Sequence, residues 1–158
     1  MRANGDAERF WSHVDKSGEC WLWTGAQDSH GYGHLSRSFD NVRRNFKAHR
    51  YVLMLNGWDV TDRDVDHICF TRLCVRPDHL RVATRKQNNE NHQSARRDSK
   101  SGIRGVFWDN TFHKWVGSVG HYGKQHRKSF ATREEAADWV LAKRLELHTH
   151  NNVDRVSA

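Results

Sequence analysis

Proline occurs once in the 158 residues of this chain, and no run of 18 apolar residues occurs in it. The second absence excludes a membrane-spanning helix, which needs about 20 consecutive apolar residues. Hydrophobic residues make up 36% of the sequence. That is too few for a large continuous core, and small modules commonly depend on a staple such as a bound metal. The opening stretch MRANGDAERFW has no apolar segment of the kind a secretion signal needs. An intracellular location, in the cytoplasm or nucleoid of a host cell, is therefore expected, with no membrane partner. Cysteine occurs only at positions 20, 69 and 74. An odd count without a secretion signal speaks against a disulfide framework. Cys69 and Cys74 lie near several histidines, which makes metal ligation the leading explanation.

What is abundant points the same way. The net charge is +7, with 12 histidines and 7 tryptophans. Residues 1–95 carry 14 Lys/Arg against 12 Asp/Glu, and residues 96–158 carry 12 against 7, so the excess is concentrated in the shorter, later segment. A basic protein attracts polyanions, of which nucleic acid is the commonest inside a cell. Charge alone is equally compatible with solubility, but the histidines and tryptophans suit metal, phosphate and base contacts better.

The composition shifts around residues 92–102, HQSARRDSKSG, which reads as a linker. This predicts one domain over 1–95, a linker at 96–102 and a second domain over 103–150. In the first, CWLWTG and GYGHLSRSF are strand-like, AHRYVLMLNG is a short helix closed by glycine, and VDHIC and LRVAT are brief strands. Thr84 is placed to cap a helix over the polar run that follows. In the second, turn residues at Asp109-Asn110 and Gly120 to Gly123 split three antiparallel strands. Thr132 and Glu135 form a capping box, and Ala137, Val140, Leu141 and Leu145 recur at helical spacing over 133–148. The fold class expected is α+β.

The chemistry concentrates in VDHICFTRLCVRPDHLRVATRKQNNEN, residues 65–91. Cys69, Cys74 and His79 are each five residues apart. Structural zinc takes four ligands in a tetrahedron, and Cys3His is a common set, so Cys20 completes it. The alternative is that the two cysteines are small buried apolar residues and His79 a core histidine. Asp66, His67 and Asn88 form a second group. Hydrolysis of a phosphodiester needs an activated water and a counter-charge for the developing negative oxygens. A neutral histidine suits the first task, and a divalent cation held by Asp and Asn oxygens suits the second. Because adjacent strand residues point to opposite faces, Asp66 and His67 share a site only if the strand ends or twists there. A surface ion pair with a helix-terminus asparagine is the competing possibility.

The pattern H-x-C-x(4)-C-x(4)-H-L, with Asn88 twenty-one residues after His67, resembles the His-Cys box homing endonucleases. The D-H…L-x-x-x-T-x-x-x-N frame resembles phage and intron HNH endonucleases, a branch of the same ββα-metal class. The resemblance covers residues 20–92. It implies that His67 is the general base, that Asn88 and Asp66 hold a catalytic Mg²⁺, and that Cys20, Cys69, Cys74 and His79 hold a structural Zn²⁺. Arg50, from AHRYV, resembles the upstream basic residue such nucleases direct at phosphate. His79 stands where the HNH pattern has its middle asparagine, and there the chain follows the His-Cys box branch.

Residues 101–150, with G-I-R-G-V-x-W and T-x-E-E-A-A, resemble the AP2 DNA-binding domain. That implies a sheet face in the major groove, with Arg104, Trp108, Lys114, Trp115, Lys124, Arg127 and Lys128 as candidates. Strand alternation divides these between two faces, so some belong to the core. The function expected is a metal-dependent endonuclease acting on double-stranded DNA, of homing or phage type. The alternatives are a DNA-binding regulator with a vestigial site and an RNA-directed enzyme of the same class. One active site per chain would require a homodimer, or two sequential nicks, to cut both strands.

Overall fold

The structure, a computed structural model, describes residues 3–39, 42–92 and 95–156. It is a mixed α/β chain of small antiparallel sheets, and it divides into two compact units, Met1–Arg85 and Lys86–Ala158.

The first unit opens with α1 (Ala3–Trp11) and the short pair β1 (Val14–Asp15) and β2 (Leu22–Trp23). A hairpin follows, β3 (His34–Phe39) with β4 (Val42–Lys47), and then α2 (Ala48–Leu55). No element here is long enough to bury a face alone. They share one cluster in which Phe10, Trp23, Leu35, Tyr51, Val52 and Leu53 meet. Aromatic rings do much of the filling: Phe10 stacks on Trp23 with centroids 5.1 Å apart and lies 5.4 Å from Tyr51. Gly33 is required beside them, because a Cβ there would come within 2.5 Å of the Trp23 indole. The helix α2 carries no internal glycine or proline, buries five of its eight residues, and gives way at Gly57, whose φ is 79°.

Two further strands complete the unit. β5 (Asp64–His67) pairs antiparallel with β6 (Leu80–Ala83), with Asp66 opposite Arg81 and His67 opposite Leu80. Between them runs the cysteine-bearing loop, closed by a single 3₁₀ turn, Pro77–His79.

The second unit begins with α3 (Arg85–Glu90, from its second residue). Its carboxyl end is fixed within that unit. The buried Glu90 carboxylate accepts from the backbone N–H groups of Thr149 and His150, and Arg104 donates to the carbonyls of Asn89, Glu90 and His92. These bonds explain why the compact division falls at 85/86, upstream of the composition shift around 92–102. A meander of β7 (Val106–Asp109), β8 (Lys114–His121) and β9 (Lys124–Phe130) follows, then α4 (Arg133–Leu147) and α5 (Asn152–Val156). The β8–β9 turn has positive φ at both Tyr122 and Gly123, as a tight right-twisted hairpin requires.

α4 packs on the sheet through Ala136 and Val140, with Ala137 and Trp139 half-buried beside them, so that Val140 and Ala137 of the four residues at helical spacing lie in this contact. The reason is close approach. A Cβ on Gly117 would lie 2.7 Å from the Trp139 ring and 3.0 Å from Val140, so the helix settles where the sheet has no side chain. Among the described residues no helix is long and apolar enough to cross a membrane.

The capping box is present as expected: Thr132 Oγ1 accepts from the Glu135 N–H, and the Glu135 carboxylate accepts from the Thr132 N–H. Thr132→Ala should therefore cost about 1 kcal/mol in urea-induced unfolding. A change below a few tenths would show that the cap contributes nothing.

Candidate active site

The cysteine cluster is assembled by backbone pairing. Trp23 N–H donates to Leu73 O at 2.9 Å and Val75 N–H to Trp21 O at 2.8 Å, which brings Cys20 beside Cys74. Ile68 N–H donates to His79 O at 2.9 Å, which brings the end of the loop back to Cys69. Phe70 turns the chain between them with φ 59°, a conformation bulky residues seldom adopt. As a result the ligand atoms of Cys20, Cys69, Cys74 and His79 all lie within 4.8 Å of one another. His79 Nδ1 is 3.5 Å from Cys20 Sγ and 3.6 Å from Cys74 Sγ.

These spacings fit zinc. Tetrahedral zinc with Zn–S of about 2.3 Å and Zn–N of about 2.0–2.1 Å places sulfur and nitrogen about 3.6 Å apart. The electrostatics agree. Burial pushes the Cys74 thiol up to about 12 and raises Cys69 as well, and a bound dication supplies the charge that reverses such a shift.

His67 stands at the end of β5, next to this loop. It is 7% exposed, and its Nε2 lies 3.1 Å from the carbonyl oxygen of Cys74. A carbonyl can only accept, so Nε2 carries the proton and Nδ1 is left as the basic nitrogen. Burial holds the pKa of His67 below the ordinary histidine value, against the opposing pull of the Cys74 carbonyl and Asp66. The ring meets His49 edge-on at 4.8 Å and Tyr32 at 6.0 Å. Tyr32 in turn has Arg72 at 5.6 Å and Lys47 at 5.7 Å from its ring.

The other expected residues are distributed as follows. Asp66 Oδ2 accepts from Arg81 Nε at 2.9 Å and Nη2 at 2.7 Å, across the β5–β6 pair. Asn88 is half-buried on α3. Arg50 donates to the carbonyls of Arg63 and Val60, which staples the turn ahead of β5. In the second unit the seven candidates do not share a face. Trp115 packs in the core beneath α4, and Trp108 meets it at 5.3 Å. The strand register puts Lys124 and Lys128 on that same side, and Lys114 and Arg127 on the opposite side with Phe107. Arg104 is engaged by the three carbonyls of the α3 end.

The comparisons with known proteins bear on residues 46–90, where the HNH endonuclease family model matches. Protein 3.8 of Escherichia phage T7 is 35% identical over 86 residues, covering 53% of this chain and 69% of that protein. The chain belongs to the family of that phage protein. Within this family, protein 2.8 of the same phage is 37% identical over 76 residues, covering 48% of this chain and half of that protein's length. No solved structure matches the chain. The HNH endonuclease segment contains His67, Asp66, Asn88, Cys69, Cys74 and His79; Cys20 lies upstream of it. It also contains His49, which the sequence pattern left unmarked although it precedes Arg50 directly and falls on the buried face of α2.

Two outcomes test this geometry. Purified protein should hold about one zinc per chain by elemental analysis. Cys20→Ser should hold far less, and chelation should lower the thermal midpoint by several degrees; metal-free protein with an unchanged midpoint would contradict the site. The second outcome concerns His49, which burial, aided by the charges of His67, Arg50 and Lys47, holds down to about 3. An unfolded histidine takes up its proton near 6.5, so the unfolded state is protonated first. Stability should fall as pH drops from about 6.5 toward 3. At saturating zinc, His49→Asn should show a shallower fall in unfolding free energy between pH 6.5 and 4.5, and equal slopes would refute it.

Proposed function

We propose that this chain is a metal-dependent DNA endonuclease in which His67 Nδ1 takes the proton from the attacking water. The hydrogen bond from His67 Nε2 to the Cys74 carbonyl, inside the HNH endonuclease segment, carries the reading. It fixes both the ring and the tautomer that leaves a basic nitrogen for the water. The water oxygen bonds to phosphorus, its proton goes to Nδ1, and the bond from phosphorus to the 3′ oxygen breaks, that oxygen taking a proton from solvent water. The products are a 5′-phosphate and a 3′-hydroxyl.

Asp66 and Asn88 offer the oxygen donors that Mg²⁺ takes, and they are the residues that would hold it. When bound, the cation offsets the negative charge on the scissile phosphate and the leaving oxygen. Asp66 would share its carboxylate between that cation and Arg81. Zn²⁺ would hold the Cys20, Cys69, Cys74 and His79 loop, and through the Cys74 carbonyl it would steady His67. In the second unit an AP2-like use of the sheet would present Lys114 and Arg127 to the phosphate backbone of double-stranded DNA, with Phe107 between them. Lys124 and Lys128 would contribute from the strand edge. Phage-type activity fits the family; a homing role and a homodimer that cuts both strands belong to the same proposal.

Supercoiled plasmid should be nicked in Mg²⁺ and left intact with a chelator of divalent cations. His67→Ala should lower the single-turnover rate by about 10²- to 10⁴-fold while keeping its zinc and its affinity for DNA. Wild-type nicking by His67→Ala would end the assignment, and a zinc-loaded wild type that binds DNA without ever nicking it would favour the regulator instead.

A further inference from the structure

A cleft of about 590 Å³ between α1 and the β3–β4 hairpin takes no part in the site above. Asp6 and Arg9 line it from the helix, and Ser36, Arg37, Ser38 and Arg43 from the hairpin. Arg37 is 7% exposed, yet its guanidinium is poorly matched. Nη1 donates to Ser36 O at 3.3 Å and Nη2 to Asp6 O at 3.5 Å, both long contacts. The Asp6 carboxylate stands 3.6 Å from Nε, and Nε has no hydrogen-bond partner among the described residues. A charge-assisted bond of good geometry runs at about 2.7–2.9 Å, and a guanidinium withdrawn from water is costly without such bonds.

The surroundings add positive charge. Arg9, Arg37 and Arg43 line the cleft, and Asp6 is the one carboxylate among the described residues that line it. Across the hairpin Arg44 stands directly opposite Arg37 and Arg43 opposite Ser38, and like charges in register repel. A tetrahedral oxyanion would answer both problems. It offers acceptors to Nε and to the arginine forks, and it offsets the excess charge. We propose that this cleft binds a phosphate group of the nucleic-acid backbone, giving the first unit its own anchor on DNA. The exposed Arg43 and Arg44 continue the cationic surface past the cleft, as a polymer of phosphates requires and a single small anion does not. The site shares with the proposed cleavage only its polyanionic partner.

The test is binding without cleavage, so an inactive nuclease does not register in it. Zinc-loaded full-length protein is titrated into a labelled duplex, without divalent cation, from 50 to 200 mM salt. Arg9→Ala and Arg43→Ala, both at exposed positions, should each weaken binding several-fold and reduce the slope of log K against log salt by about 1. Arg63→Ala, an exposed arginine of the same unit outside the cleft, should leave the slope unchanged. Wild-type slopes in both cleft variants, or an equal loss in Arg63→Ala, overturn the proposal. In a second arm inorganic phosphate is titrated against the thermal midpoint. Stabilisation of the wild type but not of the Arg9/Arg43 double variant, with duplex binding unchanged, would assign the cleft to free phosphate and remove the backbone from it.

Discussion

One residue, Cys74, joins the two halves of the site. Its sulfur belongs to the Cys3His cluster, and its carbonyl oxygen accepts a hydrogen bond from His67 Nε2. A side chain of this kind is only as well aimed as the backbone that holds it. The loop from Cys69 to His79 has few apolar anchors of its own: Cys74 and Val75 are its fully buried members, and Phe70 takes a conformation that costs energy. A cation drawing four ligands together would compensate for that poverty. In a chain with so small an aliphatic core, the order of the His67 ring would then derive from metal ligation.

Electrostatics impose a second constraint. His67 and His49 are buried and packed edge-on, and burial, joined at His49 by the charges of His67, Arg50 and Lys47, works against a proton on either ring. A pair of neutral imidazoles is the stable arrangement, and a neutral imidazole is what a general base must be before the water arrives. Asp66 pulls toward the charged form of His67 but is outweighed by burial, and its Oδ2 also accepts from Arg81. Beside His67 the Tyr32 ring carries Arg72 and Lys47 close to it, Lys47 in an ion pair with Asp28, so Arg72 is the cation there that suits an incoming phosphate.

Much of this was open to inference from residue order. Two cysteines and a histidine at five-residue spacings, with Cys20 as the one remaining cysteine, point to a shared metal. Thr132 and Glu135 announce the start of α4 because a capping box is a local device. What sequence could not supply is what backbone atoms do. The Cys74 carbonyl has no letter of its own, and the residue that donates a hydrogen bond to it is seven positions away. In AHR the charged Arg50 drew notice, yet it is bonded to two carbonyls, while its neighbour His49 faces His67. The strand β4, with four exposed residues in a row, exists through its pairing with β3 and shows no alternation of its own. Nor could alternation alone say which face of the β7–β9 sheet lies under α4; the glycines at 105 and 117 decide that by admitting Val140.

The tautomer of His67 is the most direct measure of whether the cysteine loop holds this ring for catalysis. Long-range proton–nitrogen correlation spectra of histidine-labelled, zinc-loaded protein report it without substrate. The expected result is a neutral His67 with its proton on Nε2 and a bare Nδ1, a state that dissolves into mixed tautomers when zinc is withdrawn. A proton fixed on Nδ1, or the same mixture with and without zinc, would contradict it.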